Sequence, residues 1–293
     1  MGAIGYYLAL PFLYGIALLP FPLLYVVSGF LRFWVFTIIG YRKEVILTNL
    51  RNSFPDKRER EIQAIAREFR TWFCDLVVET LKTLTINERT LRQRVTLEGA
   101  ELLRTYAEKG QSVILVLGHL GNWELAGARY GVEPGLPKLH VIYHPLENMH
   151  FDKLFHHMRT RLGNRLYAMN EVGKAMLRDR HLNTATAFIA DQTPAPERAY
   201  WMRFLNQDTP VFLGTEVLAR KLGYPVVYVS VQRTGRGRYH MAMETLVADP
   251  ALTSPGEITE KHTRRLEWDI QRSPAIWLWT HRRWKHKRPE NVR

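Results

Sequence analysis

The first 31 residues contain no Asp, Glu, Lys or Arg, and this uncharged run is the strongest constraint on how the chain folds. A stretch of about 20 apolar residues is long enough to cross the hydrocarbon core of a bilayer. Pro11, Pro20 and Pro22 interrupt the run, so we expect one kinked span, or a short span followed by an interfacial helix near residues 30–39. The sequence therefore predicts a membrane anchor at residues 1–40 and one larger domain at residues 41–293.

Two other interpretations of the N-terminal run are less favoured. A cleaved signal peptide normally has a basic region before its apolar part, and this run has none and is longer than usual. An apolar helix packed in a soluble core is the remaining alternative. Arg42, Lys43 and Arg51 follow the run, and the positive-inside rule then places the bulk of the protein in the cytoplasm.

The chain carries a formal net charge of +13, and residues 282–288 combine basic and aromatic side chains. Such a surface attracts anionic lipid headgroups, phosphorylated substrates, acidic carrier proteins or nucleic acid. Nucleic acid is disfavoured because no zinc-finger, helix-turn-helix or RNA-recognition signature is present. The single cysteine, Cys74, excludes internal disulfides and a cysteine-based metal cluster, and its apolar helical surroundings predict a buried side chain. No phosphate-binding glycine loop or metal-ligand spacing is found, so no cofactor or metal is expected.

Strand-like and helical segments alternate after the N-terminal run. This alternation predicts an α/β fold with a mainly parallel, mixed sheet flanked by helices, and with its site at the carboxyl ends of the strands. The strand candidates are Val113 to Leu117, Leu139 to Tyr143, Thr186 to Ala190, Val226 to Gln232 and Tyr239 to Met243. Helices are expected at Glu59 to Thr85, Phe151 to Leu162, Gly173 to Leu182 and Gly214 to Leu222.

A histidine lies at the exit of the first of these buried strands, in Gly118-His119-Leu120-Gly121-Asn122-Trp123-Glu124. Asn122 is a suitable cap for a helix that carries Glu124 in its first turn. A histidine that removes a proton from a hydroxyl needs an acceptor on its other ring nitrogen, and Glu124 is the nearest candidate in sequence. We therefore predict a His119/Glu124 dyad; the plainer interpretation is a loop histidine and a solvent-facing glutamate.

Asp191 and Gln192 follow another predicted strand and repeat the pattern of polar residues at a strand end. A turn-forming aspartate before Pro194 is the alternative. Arg159 and Arg161 have the planar guanidinium geometry that binds phosphate, although each also suits the solvated face of a helix.

These segments together resemble the late acyltransferases of lipid A biosynthesis, within the wider lysophospholipid-acyltransferase-like superfamily. The resemblance covers nearly the whole chain, and its motifs are short singly but specific in this order. The motifs are Gly40-Tyr41-Arg42, Asn49-Leu50-Arg51-Asn52-Ser53-Phe54-Pro55, Gly118 to Glu124, Arg159-Thr160-Arg161, Asp191-Gln192-Thr193, Val211-Phe212-Leu213-Gly214-Thr215 and Trp277 to Lys285.

The resemblance implies a membrane-anchored O-acyltransferase on the cytoplasmic side of a bacterial inner membrane. Its acyl donor would be acyl carrier protein or acyl-CoA, and its acceptor a hydroxyl of a lipid A precursor. His119 would take the proton from that hydroxyl, with Glu124 orienting it. The expected substrate-binding residues are Asn122, Arg159, Arg161, Asp191 and Gln192.

One departure concerns the acceptor, because many members carry an acidic residue where this chain has Thr193. Acylation of another membrane lipid, such as an amino-acid lipid, a glycolipid or a lysophospholipid, is therefore the alternative function. An inactive lipid-binding relative is the alternative of a different class.

Overall fold

The N-terminal run folds into two helices in the computed structural model, which describes residues 3–289. The first helix, α1, covers Ala3–Leu18 and the second, α2, covers Phe21–Arg32. Pro20 is the N-cap of α2. A proline at the start of a helix costs no hydrogen bond, because the first backbone N–H groups of a helix have no partner within it. Six residues of π-helix, Phe33–Ile38, continue α2. Residues 1–2 of the predicted membrane anchor and residues 290–293 of the predicted larger domain lie outside the described part.

Residues 43–289 form a seven-stranded sheet flanked by helices, with a separate two-stranded hairpin. The helices are α3 (Lys43–Ser53), α4 (Glu59–Lys82), α5 (Glu88–Arg94), α6 (Ala100–Glu108), α7 (Trp123–Gly131), α8 (Met149–Thr160), α9 (Val172–Arg178), α10 (Gly214–Leu222) and α11 (Glu257–Arg272). The strands are β1 (Val95–Glu98), β2 (Val113–Leu117), β3 (Lys138–Tyr143), β4 (Arg165–Ala168), β5 (Thr184–Ile189), β6 (Tyr200–Phe204), β7 (Gln207–Val211), β8 (Val226–Gly235) and β9 (Arg238–Val247).

The order of strands in the sheet is β1-β9-β8-β2-β5-β3-β4. The pairs β8–β2, β2–β5, β5–β3, β3–β4 and β1–β9 are parallel, and the β8–β9 hairpin is antiparallel. The predicted α/β fold with a mainly parallel, mixed sheet is thereby confirmed. β2 and β5 are adjacent and parallel near the middle of the sheet. The loops that follow their carboxyl ends therefore lie close together at one edge of the sheet.

Both faces of the central strand are buried, as its continuous run of apolar residues predicts. Ile114 and Val116 of β2 belong to the core on one side of the sheet, and Val113 and Leu115 belong to the core on the other. Cys74 is fully buried in the first of these cores, which confirms its predicted role as a small apolar side chain.

The five predicted strands and four predicted helices all exist, with bounds within a few residues of the expected ones. The sequence analysis did not foresee β1, β4 and the β6–β7 hairpin, which are too short to show a period. It also did not foresee α11, whose many charged residues obscure the apolar stripe that it buries.

The N-terminal segment lies antiparallel to α4 over most of its length. The Lys82 ammonium donates to the carbonyl oxygens of Ala17 and Leu19 at 2.8 Å each. About two turns earlier on α4, the Asp75 carboxylate accepts a hydrogen bond from the Ser28 hydroxyl at 2.6 Å. Later residues of the N-terminal segment therefore contact earlier residues of α4. We call this line of contacts between the N-terminal segment and α4 the seam.

The opposite side of the N-terminal segment is apolar and exposed. Phe21–Ile38 is long and apolar enough to cross a membrane, and 22% of this stretch is buried. Large exposed apolar side chains on α1, α2 and the π-helix are Tyr7, Leu8, Phe12, Leu18, Leu23, Val26, Phe30, Phe33, Trp34 and Ile38. The segment thus presents one face to the protein and leaves the other without a protein partner among the described residues.

Candidate active site

The site is built where β2 and β5 end side by side. Leu117 of β2 is in register with Ile189 of β5, and the Ala190 amide donates to the Leu117 carbonyl oxygen at 3.0 Å. His119 and Asp191 each lie two residues beyond these paired positions. Equal offsets from parallel, in-register strands bring the two side chains to the same place.

The His119 ring is oriented by Asp191. Its Nδ1 lies 2.6 Å from Asp191 Oδ1, and the backbone N–H of His119 donates to Asp191 Oδ2 at 2.8 Å. The indole N–H of Trp277 donates to the same Oδ2 at 2.7 Å. Since an ionised carboxylate only accepts, the proton of the neutral imidazole belongs on Nδ1, and Nε2 carries the lone pair that can accept a proton.

The environment keeps Asp191 ionised. Its burial raises the pKa, but the charge of His119 and the hydrogen bonds from His119 and Trp277 outweigh burial and lower the pKa from 3.8 to about 2. The stability gained from this depressed pKa is present above pH 3.8 and is lost as the pH falls through about 2. At neutral pH, Asp191 is therefore a fixed negative charge behind the His119 ring.

Glu124 does not pair with His119, which corrects the predicted dyad. Its carboxylate instead binds the guanidinium of Arg159, with Nη2–Oε1 and Nε–Oε2 distances of 2.5 and 3.1 Å. The physical reason is the position of Glu124 in the first turn of α7, where its side chain faces α8. His119 lies in the preceding loop with its ring turned toward β5. Glu124 and Arg159 thus form a two-pronged ion pair beside the histidine.

The other predicted binding residues have different surroundings. Gln192 lies close to His119, with its side-chain nitrogen 3.5 Å from His119 Nε2. Arg161 donates to the carbonyl oxygens of Thr83 and Ile86 at 2.8 and 3.0 Å, so it fastens α8 to the end of α4. Asn122 is fully buried and caps α7 by accepting from the Leu125 amide, which confirms the predicted cap.

A cavity of about 510 Å³ lies beside His119 and is lined by residues of β2, β3, β5, α7 and α8. This volume lies in the range of small-molecule sites, roughly 300–1,000 Å³. The polar residues His119, Glu124, Arg159 and Gln192 contribute to its wall, whereas Asn122, Arg161 and Asp191 do not line it. Its apolar wall includes Leu115, Ala126, Gly127, Tyr130, Leu139, Ala187, Val229 and Met241. The cavity therefore suits a ligand with a large apolar part, and His119 lies in its wall.

Two residues of the C-terminal segment support the site without having been predicted to do so. Trp277 holds Asp191, as described above. Arg283, with 2% of its surface exposed, shares a small internal cavity with Asp191 and His262. Burial lowers the pKa of Arg283 to about 10, against the opposing charge of Asp191, so the guanidinium is still a cation at neutral pH. The run of tryptophan and basic residues near the C-terminus was the visible signal, but it did not reveal these contacts.

Comparison with known proteins agrees with this architecture. The family model described as bacterial lipid A biosynthesis acyltransferase matches residues 2–286. The chain is similar to the lipid A biosynthesis lauroyltransferase of Escherichia coli (strain K12), with 24% identity over 94% of this chain and 89% of that protein. It is also similar to the lipid A biosynthesis myristoyltransferase of the same organism, with 23% identity over 54% of this chain and 48% of that protein.

The geometry predicts that Asp191→Asn lowers the turnover of an acyl thioester by about 10² or more. The amide cannot accept both His119 hydrogen bonds and the indole hydrogen bond, so the ring loses its fixed tautomer. Steady-state kinetics of the purified protein measure this loss.

Glu124→Gln is the matched control for this experiment, since it also replaces one carboxylate near His119 with an amide. We expect it to retain more of kcat than Asp191→Asn, because it acts on Arg159 and leaves the His119–Asp191 contact intact. Near-normal kcat in Asp191→Asn, together with a collapse in Glu124→Gln, would restore the original dyad.

Proposed function

The chain belongs to the bacterial lipid A biosynthesis acyltransferase family, and on that premise we propose that it moves a fatty acyl chain from a thioester to a hydroxyl of a lipid A precursor. The observation that carries the proposal is a cavity lined by His119 and by many apolar side chains. In the proposed complex, the thioester carbonyl lies beside His119, and the acyl chain lies against the apolar side chains of the cavity.

In the proposed mechanism, His119 Nε2 accepts the proton of the acceptor hydroxyl as its oxygen attacks the thioester carbonyl. Asp191 stabilises the imidazolium that forms. The tetrahedral intermediate then expels the thiolate of the donor, and the imidazolium returns its proton to that sulfur. The products are an ester and a free thiol, and no acyl-enzyme is required.

Arg159 is the proposed donor to the oxyanion. The hydrogen bonds of its guanidinium to Glu124 use Nε and Nη2, so Nη1 has no hydrogen-bond partner among the described residues. Glu124 in this proposal aims the guanidinium into the cavity and balances its charge in the ground state. A fixed cation of this kind stabilises charge that develops only in the transition state.

The acyl donor is proposed to be acyl carrier protein or acyl-CoA. Both carry phosphate, and acyl carrier protein is acidic, which suits a chain of net charge +13. The acceptor is the least determined part. In place of the acidic residue that many members carry, Thr193 donates to the Arg283 carbonyl oxygen at 2.8 Å, and its Oγ1 lies 3.1 Å from His281 Nε2. This neutral contact favours a second candidate, the acylation of another membrane lipid.

Lipid mass spectrometry tests the function and the acceptor together. Cells that contain the wild-type protein should show one lipid class heavier by one acyl chain than cells that contain His119→Ala. A shift in lipid A supports the first candidate, and a shift in another lipid supports the second. Identical lipids, together with no thioester turnover by the pure protein, would favour the inactive lipid-binding alternative.

Gly127 gives a test of the proposed acyl-binding cavity. It lines the cavity in α7, and a Cβ placed there meets no heavy atom within 4 Å. Gly127→Leu should therefore keep the fold, since glycine is a poor helix former, and should fill part of the cavity. We expect the preference among acyl thioesters, measured as the ratio of kcat/KM values, to move to shorter chains.

Gly127→Ala, which adds one methyl group, serves as the graded control and should produce a smaller change in the same direction. An unchanged order of chain-length preference in Gly127→Leu would place the acyl chain elsewhere.

We propose further that the N-terminal segment lies in the cytoplasmic leaflet of the inner membrane and does not cross it. The seam with α4 supports this proposal. A crossing α2 would carry Asp75 and its partner Arg236 into the bilayer, and burying such charges in lipid is costly. A segment in the plane of the membrane instead buries its exposed apolar face in lipid and keeps α4 in the protein.

The variant Phe12→Glu/Phe30→Glu tests the membrane face. Both phenylalanines are largely exposed, at 76% and 66%, so the fold should survive. The variant should still bind membranes at 0.1 M salt through the basic surface but wash off at 1 M, because the Debye length falls from about 10 Å to about 3 Å. Sedimentation of membranes at the two salt concentrations measures the difference.

Val217→Glu/Leu252→Glu is the control, with the same added charge at exposed positions of α10 and of the loop before α11, where 55% and 84% of each residue is exposed. It should stay bound at 1 M salt, as the wild type does. Equal retention of both double variants would contradict the proposed membrane face.

A further inference from the structure

Glu79 of α4 is a buried carboxylate outside the acyl cavity. None of its surface is exposed, and no Lys or Arg lies within ion-pair distance of it among residues 3–289. A buried carboxylate without a cation is costly unless hydrogen bonds satisfy it. Packing alone therefore does not explain why a carboxylate lies at this position.

Three donors from different parts of the chain satisfy this carboxylate. The Asn122 amide nitrogen and the Tyr239 hydroxyl donate to Oε2 at 2.8 and 2.7 Å. The Tyr25 hydroxyl donates to Oε1 at 3.1 Å. Burial raises the pKa of Glu79, and these three hydrogen bonds oppose that rise. Glu79 thus joins α2, β9 and the start of α7 at one point.

Asn122 is the member of this group that leads to the active site. Its side-chain oxygen caps α7 by accepting from the Leu125 amide at 2.9 Å, so its nitrogen must face Glu79. Asn122 also closes the loop that begins with Gly118 and contains His119. The loop packs closely against β8, since a Cβ at Gly121 would lie 2.1 Å from the Val231 carbonyl oxygen.

We propose that Glu79 is a positioning residue for the acyl transfer proposed above, and that it fixes the His119 loop by holding the Asn122 side chain in its capping orientation. Without an acceptor at Glu79 Oε2, the Asn122 amide has a buried, unsatisfied N–H. It can recover a partner only by turning away from the Leu125 amide. The loop then loses its anchor three residues from His119.

Glu79→Leu tests this role, because leucine offers no acceptor to the Asn122 amide. Glutamine would not remove the contact, since its oxygen can face Asn122 and Tyr239 while its nitrogen donates to the Tyr25 hydroxyl, which also accepts. We expect kcat to fall by roughly tenfold or more in Glu79→Leu, because small misplacement of a catalytic group has large effects on rate. KM for the acyl thioester should change by less than about threefold, since Glu79 does not line the cavity.

The double variant Glu79→Gln/Asn122→Asp separates positioning from a general loss of stability. It exchanges the donor and the acceptor, so the introduced glutamine amide donates to one oxygen of the introduced aspartate, while the other oxygen still caps Leu125. Asp is as good a helix cap as Asn, and the charge of the pair is unchanged. We expect Asn122→Asp alone to impair kcat, because it places two carboxylates together, and we expect the double variant to recover most of that loss.

Hydrogen exchange of the Leu125 amide gives a readout that does not depend on the reaction. Exchange should accelerate by about tenfold or more in Glu79→Leu and in Asn122→Asp, and it should return toward the wild-type rate in the double variant. Wild-type kcat and exchange in Glu79→Leu would overturn the proposal, as would a double variant that restores neither. A wild-type protein without acyl transfer would refute the proposed function, while the exchange rates would still decide the role of Glu79.

Discussion

The active site depends on the buried carboxylate of Asp191 and on the three hydrogen bonds that it accepts. Two of them come from His119, one from the ring and one from the backbone, so the same group fixes the orientation of the imidazole and the path of its loop. The third, from Trp277, brings in the C-terminal segment. Leu120 also pairs with Trp277 as an isolated β-bridge, and the Gly121 amide donates to the Ile276 carbonyl oxygen. Carboxylate, loop and C-terminal segment therefore hold one another.

The two acidic residues near His119 have separate environments. Asp191 is enclosed and acts on the ring nitrogen that faces away from the cavity, while Glu124 lines the cavity and binds Arg159. One carboxylate orients the imidazole from outside the cavity, and the other holds the Arg159 guanidinium at the cavity wall. The spacing of five residues between His119 and Glu124 thus reflects where α7 begins and not a direct contact.

The N-terminal segment is part of the folded protein as well as the surface proposed to contact the membrane. Phe21 and Leu24 belong to the same core as the strands, and Ser28 reaches the buried Asp75. The boundary at residue 40 remains a prediction, but contacts across it are extensive. In the proposed membrane orientation, the contacts of this segment with α4 would hold the cavity at a constant distance from the lipid surface, whereas a loosely tethered anchor would not.

The sequence by itself determined the elements that local patterns encode, namely the apolar run of β2, the alternation behind a mainly parallel sheet and the Asn122 cap of α7. Only the tertiary structure decided which residues act together. Asp191 and not Glu124 meets the His119 ring because β2 and β5 are neighbours in register, and strand order is set by packing over the whole domain. Glu79 binds a group 43 residues away in sequence, and no local pattern reports such a contact. Hydrogen bonds require positions to be correct within a few tenths of an ångström, and only the assembled core supplies that precision.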